Sequence, residues 1–314
     1  MEKVKIAVAG IGGVGGYFGG KLAARYAGSG EVAVYFIARG ENEKAIRENG
    51  LYVESTKGNF SARPEKVTSH PAEAGKMDLI LCCTKGYDLE EMMVQLKPCI
   101  HPGTVILPVL NGVDSREKIK KVLPENEIWE GCAYIVSRLA APGFIKETGN
   151  ITIIDFGARE GTREKLTLFR NIFNRAGFEA RLAENVLDTI WEKYTFIATV
   201  ATLTSYLDTS VGNLLDKEEN KNLLLSLFRE LLAVAKAHGV KLPENIVQKN
   251  LDIMASLPYE TTASMHTDYL NGKPTEVESI TGYVVRLGRK LGVPTPVYEK
   301  IYAALLQKSA NAAS

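Results

Sequence analysis

The sequence predicts an α/β chain in which a doubly wound parallel sheet occupies residues 1–184 and an all-helical domain occupies 185–314. Three observations predict it. The run Val4–Ala9, rich in β-branched residues, leads straight into Gly10-Ile11-Gly12-Gly13-Val14-Gly15. The runs 78–84 and 103–110 are almost wholly apolar, as strands buried on both faces are. From Asn185 onward apolar residues recur at helical spacing, with Gly and Pro as punctuation.

The glycine pattern G-x-G-x-x-G carries meaning because of where it stands. Small and apolar residues at helical spacing follow it (Val14, Phe18, Leu22, Ala23, Tyr26), and a second apolar run, 32–38, ends at Arg39. In a strand–turn–helix–strand unit of this kind Gly10 permits the tight turn. Gly12 lets backbone approach a pyrophosphate, and Gly15 lets helix pack on strand. The helix N-terminus offers free N–H groups to phosphate. Gly10, Ile11, Gly12, Gly13, Val14 and Gly15 are therefore candidate dinucleotide contacts. The competing reading is a glycine-rich turn that only packs helix on strand.

The second strand ends Ile37-Ala38-Arg39-Gly40, with no acid before Glu41. An NAD site wants a carboxylate there for the ribose 2′-hydroxyl. The planar fork of Arg39 suits a 2′-phosphate instead, which points to NADP(H). In the alternative, Arg39 is a solvated loop cation and Glu41 contacts the ribose.

After Arg39, residues 43–49 read as a short helix closed by Gly50, and residues 51–60 as a hairpin around Lys57-Gly58-Asn59. The strand 78–84 ends at Lys85 and a helix follows to about Leu96. The strand 103–110 ends at Asn111-Gly112. Ligands of doubly wound sheets sit beyond the carboxyl ends of the strands, so Gly10–Gly15, Arg39, Lys85 and Asn111 are expected along one edge. Lys85 can equally be a surface cation, and Asn-Gly is also a good turn dipeptide. Residues 128–136, 151–156 and 178–182 read as further strands. A turn falls at Ala141-Pro142-Gly143 and an amphipathic helix at 164–176.

Composition sets the outer bounds. The 314 residues suit two domains, and 45% hydrophobic with 24% charged residues is ordinary for a globular protein. A net charge of +1 implies no field for nucleic acid or anionic membrane. The chain enters its first strand at once, and it has no apolar run of bilayer length, so a cytoplasmic location is expected. Cys82, Cys83, Cys99 and Cys132 form no C-x-x-C and read as reduced structural thiols. His70, His101, His238 and His266 are scattered, so no metal site is expected.

The helical domain opens with Ile190-Trp191-Glu192-Lys193-Tyr194, a mostly apolar helix carrying one lysine in its first turns. Lysine is rarely buried unless it pairs or works. Desolvation lowers its pKa from about 10.4, which suits a proton donor. The bland reading is a lysine that snorkels at the helix margin. Glu276 follows Thr275, a possible cap of the helix running on through Leu291. It is either a first-turn carboxylate favoured by the helix dipole or one that meets Lys193. His266 is a structural histidine or a general acid. The apolar helix around residues 223–237 leaves a homodimer face possible.

The chain resembles the ketopantoate reductase (2-dehydropantoate 2-reductase) family. The residues that carry the resemblance run in the family's order: Gly10–Gly15, Arg39, Thr84-Lys85, Leu110-Asn111-Gly112, Trp191-Glu192-Lys193, Ser264-Met265, Asp268, Thr275-Glu276 and Gly292-Val293-Pro294-Thr295-Pro296. The resemblance implies an N-terminal Rossmann domain and a C-terminal all-helical domain of the 6-phosphogluconate dehydrogenase type. It implies an NADP-dependent oxidoreductase that reduces a small 2-oxo acid, ketopantoate, to pantoate in pantothenate biosynthesis. It further implies that Arg39 holds the 2′-phosphate and that Lys85 and Asn111 line the nicotinamide, ribose and substrate end. Lys193 is then the general acid. Ser264 contacts the substrate carboxylate, and Glu276 bonds the substrate hydroxyl or positions Lys193.

One departure bears on the substrate. The family typically places asparagines one and two helical turns after the lysine, on the same helix face. Here those positions hold Ile197 and Ala201, which supply no hydrogen bond. Two alternatives follow: a paralogue reducing a different, more apolar 2-oxo acid, or a non-catalytic NADP(H)-binding sensor.

Overall fold

The computed structural model describes residues 2–159 and 161–312. The chain divides into two compact units. The first comprises residues 1–110 and 115–186; the second comprises 111–114 and 187–314.

The first unit runs β1 (Val4–Ala9), α1 (Gly13–Tyr26), β2 (Val32–Ile37), α2 (Gly40–Asn49), β3 (Leu51–Ser55), β4 (Phe60–Ala62), β5 (Lys66–Thr68), β6 (Leu79–Cys82), α3 (Leu89–Leu96), β7 (Val105–Pro108) and α4 (Ser115–Val122). It continues through β8 (Glu127–Ile128), β9 (Glu130–Tyr134), β10 (Ser137–Ala141), β11 (Phe144–Glu147), β12 (Ile153–Gly157), α5 (Arg163–Arg175) and β13 (Glu179–Leu182). The main sheet has the order β5-β2-β1-β6-β7-β8, and every pairing in it is parallel. Numbered among themselves, these strands follow the 3-2-1-4-5-6 order of a dinucleotide-binding sheet.

Side chains alternate across the sheet, and both of its faces are buried. Ile6 and Val8 of β1, Leu79 and Leu81 of β6, and Val105 and Leu107 of β7 enter one core with α1. Ala7, Ala9, Ile80, Cys82 and Ile106 enter the other with α3 and α4. That is why these strands read as continuous apolar runs. On the α1 side a second sheet, β10-β11-β3-β4, covers the helix, and a third has the order β13-β12-β9.

Several elements differ from the sequence expectation. Helix α2 starts at Gly40 rather than residue 43 because Gly40 takes φ +62°, letting the chain turn from strand into helix at once. The run 128–136 is not one strand. Tyr134 ends β9, and β10 pairs with β11 around the expected 141–143 turn. Strand β10 is mostly exposed, so it lacks the buried alternation that marks a strand. Helix α4 is polar, with only Ser115 and Ile119 buried, and three-residue β5 is too short to show a period.

The second unit is helical: α6 (Val186–Leu207), α7 (Val211–Asp216), α8 (Glu218–Ala237), α9 (Ile246–Ser256), α10 (Ser264–Leu270), α11 (Tyr283–Leu291) and α12 (Pro296–Ala312). Leu224, Leu227, Phe228 and Leu231 are buried where α8 packs on α7, α11 and α12. The apolar stripe of α8 is thus core of this unit. Glu230 of α8 accepts hydrogen bonds from the backbone N–H groups of Val297 and Tyr298, at 2.9 and 3.0 Å, satisfying donors that the first turn of α12 leaves open. Gly292 closes α11 in the left-handed conformation, φ +69°. No described helix is long and apolar enough to cross a membrane.

Immediately before α11 the helix widens into a π turn, Glu278–Gly282. The residue that flanks the turn, Val277, gives it no side-chain cap. π turns are rare and concentrate at functional sites.

Candidate functional site

In the first unit the ends of three strands come into register. Ala9 pairs with Ile37 on one side and Cys82 on the other. The backbone N–H of Gly10 donates to the Ile37 carbonyl at 3.2 Å, and that of Cys83 to the Ala9 carbonyl at 2.8 Å. Gly10–Gly15, Arg39 and Thr84-Lys85 therefore leave one carboxyl edge.

The glycines of the loop answer to different demands. A Cβ on Gly10 would lie 2.8 Å from the Thr84 nitrogen, on Gly13 2.3 Å from the Ser137 carbonyl oxygen, and on Gly15 2.1 Å from the Gly10 carbonyl oxygen. Protein packing explains these three. A Cβ on Gly12 would meet nothing within 4 Å. Gly12 is the N-cap of α1, which has no acidic residue in its first turn. A helix leaves its first N–H groups without intrahelical partners, and the open space at the N-cap Gly12 lets a pyrophosphate approach them. The hydroxyls of Thr84 and Ser137, on residues whose backbones flank the loop, are buried without a protein partner. The residues present fit a dinucleotide.

Arg39, at the end of β2, is 72% exposed, and its Nη2 lies 3.3 Å from Asp88 Oδ2 at the start of α3. Lys85 is half-buried in the loop between β6 and α3. Its carbonyl accepts from the Asp88 N–H at 3.0 Å. A residue that sequence reasoning missed is Asn42 of α2. Its Nδ2 donates to the Ile11 carbonyl at 2.7 Å, and its Oδ1 accepts from the Gly143 N–H at 2.8 Å. Asn42 thus braces the glycine loop against the β10–β11 turn. Nothing in its local sequence pattern marks it. Burial pushes the Cys82 and Cys83 thiols up, which keeps them protonated and unreactive.

In the second unit Lys193 Nζ donates to Asn111 Oδ1 at 3.1 Å. Asn111 follows β7 in the chain but clusters with the helical unit. Gly112 takes φ +94°, and a Cβ there would lie 3.3 Å from the Cβ and carbonyl oxygen of Ser279. The Asn111-Gly112 turn is therefore seated against the π turn. Tyr194, next to Lys193, donates its hydroxyl to the Ile280 carbonyl at 2.5 Å, and the Ser279 carbonyl lies 3.3 Å away. Glu276 is buried, and its carbonyl accepts from the N–H groups of Ser279 and Ile280 at 3.1 and 2.9 Å.

Ser264 is exposed in the first turn of α10. His266 is buried, with Nε2 2.7 Å from Asp208 Oδ1 at the end of α6. Beyond Lys193 on α6, Ile197 is half-buried and Ala201 buried. The neighbouring threonines are engaged elsewhere. Thr195 and Thr199 donate to carbonyls of their own helix, and Thr202 bonds Thr281.

The sheet order, the glycine loop and its open space at Gly12 define a dinucleotide-binding α/β protein of the Rossmann class, carrying a helical second unit. Comparison with known proteins names the class more closely. Residues 6–161 match the family described as ketopantoate reductase PanE/ApbA, and residues 185–309 match its C-terminal domain. The chain belongs to the ketopantoate reductase family, and it is an oxidoreductase that uses a nicotinamide cofactor.

The crystal structure of 2-dehydropantoate 2-reductase from Porphyromonas gingivalis W83 is similar at 37% identity and TM-score 0.84, covering 97% of this chain and 99% of that one. An uncharacterized oxidoreductase, YkpB, of Bacillus subtilis (strain 168) is 30% identical, covering 96% of this chain and 98% of its own length. A 2-dehydropantoate 2-reductase of Nostoc sp. (strain PCC 7120 / SAG 25.82 / UTEX 2576) is 28% identical over 97% and 95%.

Proposed function

We propose that the protein reduces 2-dehydropantoate (ketopantoate) to pantoate with NADPH, the activity named for several of its relatives. The observation that carries the reading is the Lys193–Asn111 hydrogen bond: the one lysine of a mostly apolar helix is held at its tip by a neutral acceptor. An ammonium has three donors. Asn111 takes one of them, and in this reading the ammonium also meets the substrate oxygen.

In this reading the N–H groups behind Gly12 bind the pyrophosphate, Arg39 takes the 2′-phosphate, and Lys85 and Asn111 line the ribose, nicotinamide and substrate end. The bound nicotinamide supplies hydride to the keto carbon. Lys193 stabilises the negative charge that develops on the carbonyl oxygen and donates a proton to it. The lysine is left as a neutral amine and regains its proton from water. Glu276 bonds the substrate hydroxyl or orients Lys193, and Ser264 meets the substrate carboxylate.

A specific observation favours a second reading, a different and more apolar 2-oxo acid. The face of α6 one turn beyond Lys193 presents Ile197, and the hydroxyls of Thr195, Thr199 and Thr202 are engaged within the unit. That face offers a substrate hydroxyl no partner, and sites that lack such a partner discriminate poorly in its favour.

A panel of 2-oxo acids assayed with NADPH and with NADH tests both readings. Dominant turnover of ketopantoate with NADPH supports the first. Dominant turnover of an unhydroxylated acid supports the second. Cofactor binding without turnover of any 2-oxo acid overturns both and leaves a sensor.

A further inference from the structure

We propose that Tyr194 is a positioning residue for the proton donor: its hydroxyl holds the π turn on which the Asn111-Gly112 turn, and through it Lys193, is seated. This inference rests on the reading of Lys193 as the proton donor and names what fixes its geometry.

A helix that widens for one turn breaks the regular pairing of each carbonyl with the N–H four residues on. Buried carbonyls left over need another donor. The π turn Glu278–Gly282 is buried from Ser279 to Gly282, and the donor comes from another helix. The Tyr194 hydroxyl reaches the Ile280 carbonyl at 2.5 Å, with the Ser279 carbonyl at 3.3 Å. The tyrosine ring is fixed in turn. It is 2% exposed and packs edge-on against Trp191, with ring centroids 5.5 Å apart. Burial raises the phenol well above its ordinary pKa, so the hydroxyl stays a donor.

What the π turn supports then closes a circuit. Ser279 presents its Cβ and carbonyl oxygen to Gly112 so closely that any side chain at 112 would press on them. Gly112 turns the chain at φ +94°, and Asn111 beside it accepts from Lys193. Lys193 adjoins Tyr194 in α6. The path Lys193–Asn111–Gly112–Ser279–Ile280–Tyr194 therefore returns to its start through two side-chain hydrogen bonds and one backbone contact. Two helical turns further on, Thr202 bonds Thr281 at 2.7 Å, tying the same two elements without touching the Gly112 seat.

Tyr194→Phe keeps the ring and removes the donor. The expected result is a fall in kcat of about 10-fold or more, the scale on which misplaced reacting groups act, with KM for NADPH unchanged. Without a well-placed Asn111 acceptor the ammonium is less favoured. The alkaline limb of the kcat profile therefore moves to lower pH. The Lys193 ammonium signal in ¹⁵N NMR of the protein alone, assigned by its loss in Lys193→Ala, titrates at lower pH as well.

Tyr298→Phe is the control. Tyr298 is equally buried but its hydroxyl makes no hydrogen bond, so this variant keeps wild-type values. A Tyr194→Phe protein that loses stability but keeps kcat, the pH limb and the NMR midpoint overturns the proposal, because its hydroxyl is then only structural. If Tyr194→Phe does not fold, Gly112→Ala probes the circuit from the other side. The same shift of the pH limb supports the proposal, and its absence overturns it. Wild-type turnover in Lys193→Ala overturns the reading of Lys193 and this proposal with it. A dead Lys193→Ala beside an unaltered Tyr194→Phe overturns the proposal alone.

Discussion

The ammonium of Lys193 donates to Oδ1 of Asn111 across 3.1 Å, although 82 residues of chain separate them. If Lys193 is the proton donor, Lys193→Ala lowers kcat by about 10²–10⁴-fold, the usual worth of a positioned acid, with nicotinamide binding retained. Asn111→Leu lowers kcat by a smaller factor, because the ammonium survives without its guide. Steady-state kinetics of the two variants checks both, and a wild-type rate in Lys193→Ala removes the residue from the chemistry.

Gly12 and Gly15 sit in one motif but differ in what their missing side chains serve. A Cβ at 12 meets nothing within 4 Å, whereas one at 15 meets the Gly10 carbonyl oxygen at 2.1 Å and Cys83 Cβ at 2.9 Å. Gly12→Ala is expected to change stability by no more than about 0.5 kcal/mol while weakening NADPH binding. Gly15→Ala is expected to cost about 1–3 kcal/mol through overpacking. Denaturant unfolding and calorimetric titration separate the two effects; equal stability losses would contradict the assignment.

Arg39 carries the expectation of NADPH over NADH. A hydrogen bond to a charged group is worth about 1.5–3 kcal/mol, so Arg39→Gln is expected to reduce the NADPH-to-NADH preference in kcat/KM by about 10–100-fold. The exposed pair with Asp88 adds little to stability, so the melting temperature stays nearly unchanged. An unaltered cofactor ratio would return the choice to Glu41.

His266 holds the Asp208 carboxyl below its ordinary pKa through their hydrogen bond, with Lys308 contributing less. A carboxylate depressed in the folded state contributes stability above its unfolded pKa, about 3.9 for aspartate, and loses it as pH falls through the lower folded value. The melting temperature of the wild type is therefore expected to exceed that of Asp208→Asn near neutrality, and the gap closes as pH falls below about 4. Asparagine tolerates the left-handed backbone of residue 208, φ +52°, so the comparison isolates the charge. A gap that stays constant with pH would assign the effect to packing.

Ile197, one turn beyond Lys193, tests the choice between substrates. Ile197→Asn is expected to raise kcat/KM for ketopantoate relative to an unhydroxylated 2-oxo acid, because it supplies a partner for the hydroxyl. The ratio measured on the two acids decides. A fall in the ratio would place substrate discrimination elsewhere.

Much of the first unit was legible because β1, β6 and β7 are buried on both faces, and burial leaves an apolar run in any sequence that folds this way. Strand β10 and helix α4 were not legible. One is exposed along most of its length, and the other buries only Ser115 and Ile119. Lys193 stood out as a charge in an apolar helix. Asn42 and Tyr194 did not, because each bonds backbone groups of distant segments.

By itself the sequence determined the buried strands of the main sheet, the glycine loop, the change from a sheet to a helical unit and the presence of one lysine in a mostly apolar helix. These depend on periodicity and steric freedom, which are local properties of the chain. Only the tertiary structure decided that Asn111 meets Lys193, that Gly12 alone among Gly10, Gly12, Gly13 and Gly15 faces open space, and that a π turn is held by Tyr194. The reason is range. A hydrogen bond acts over about 3 Å, and residues far apart in the chain come that close only after the elements between them have packed.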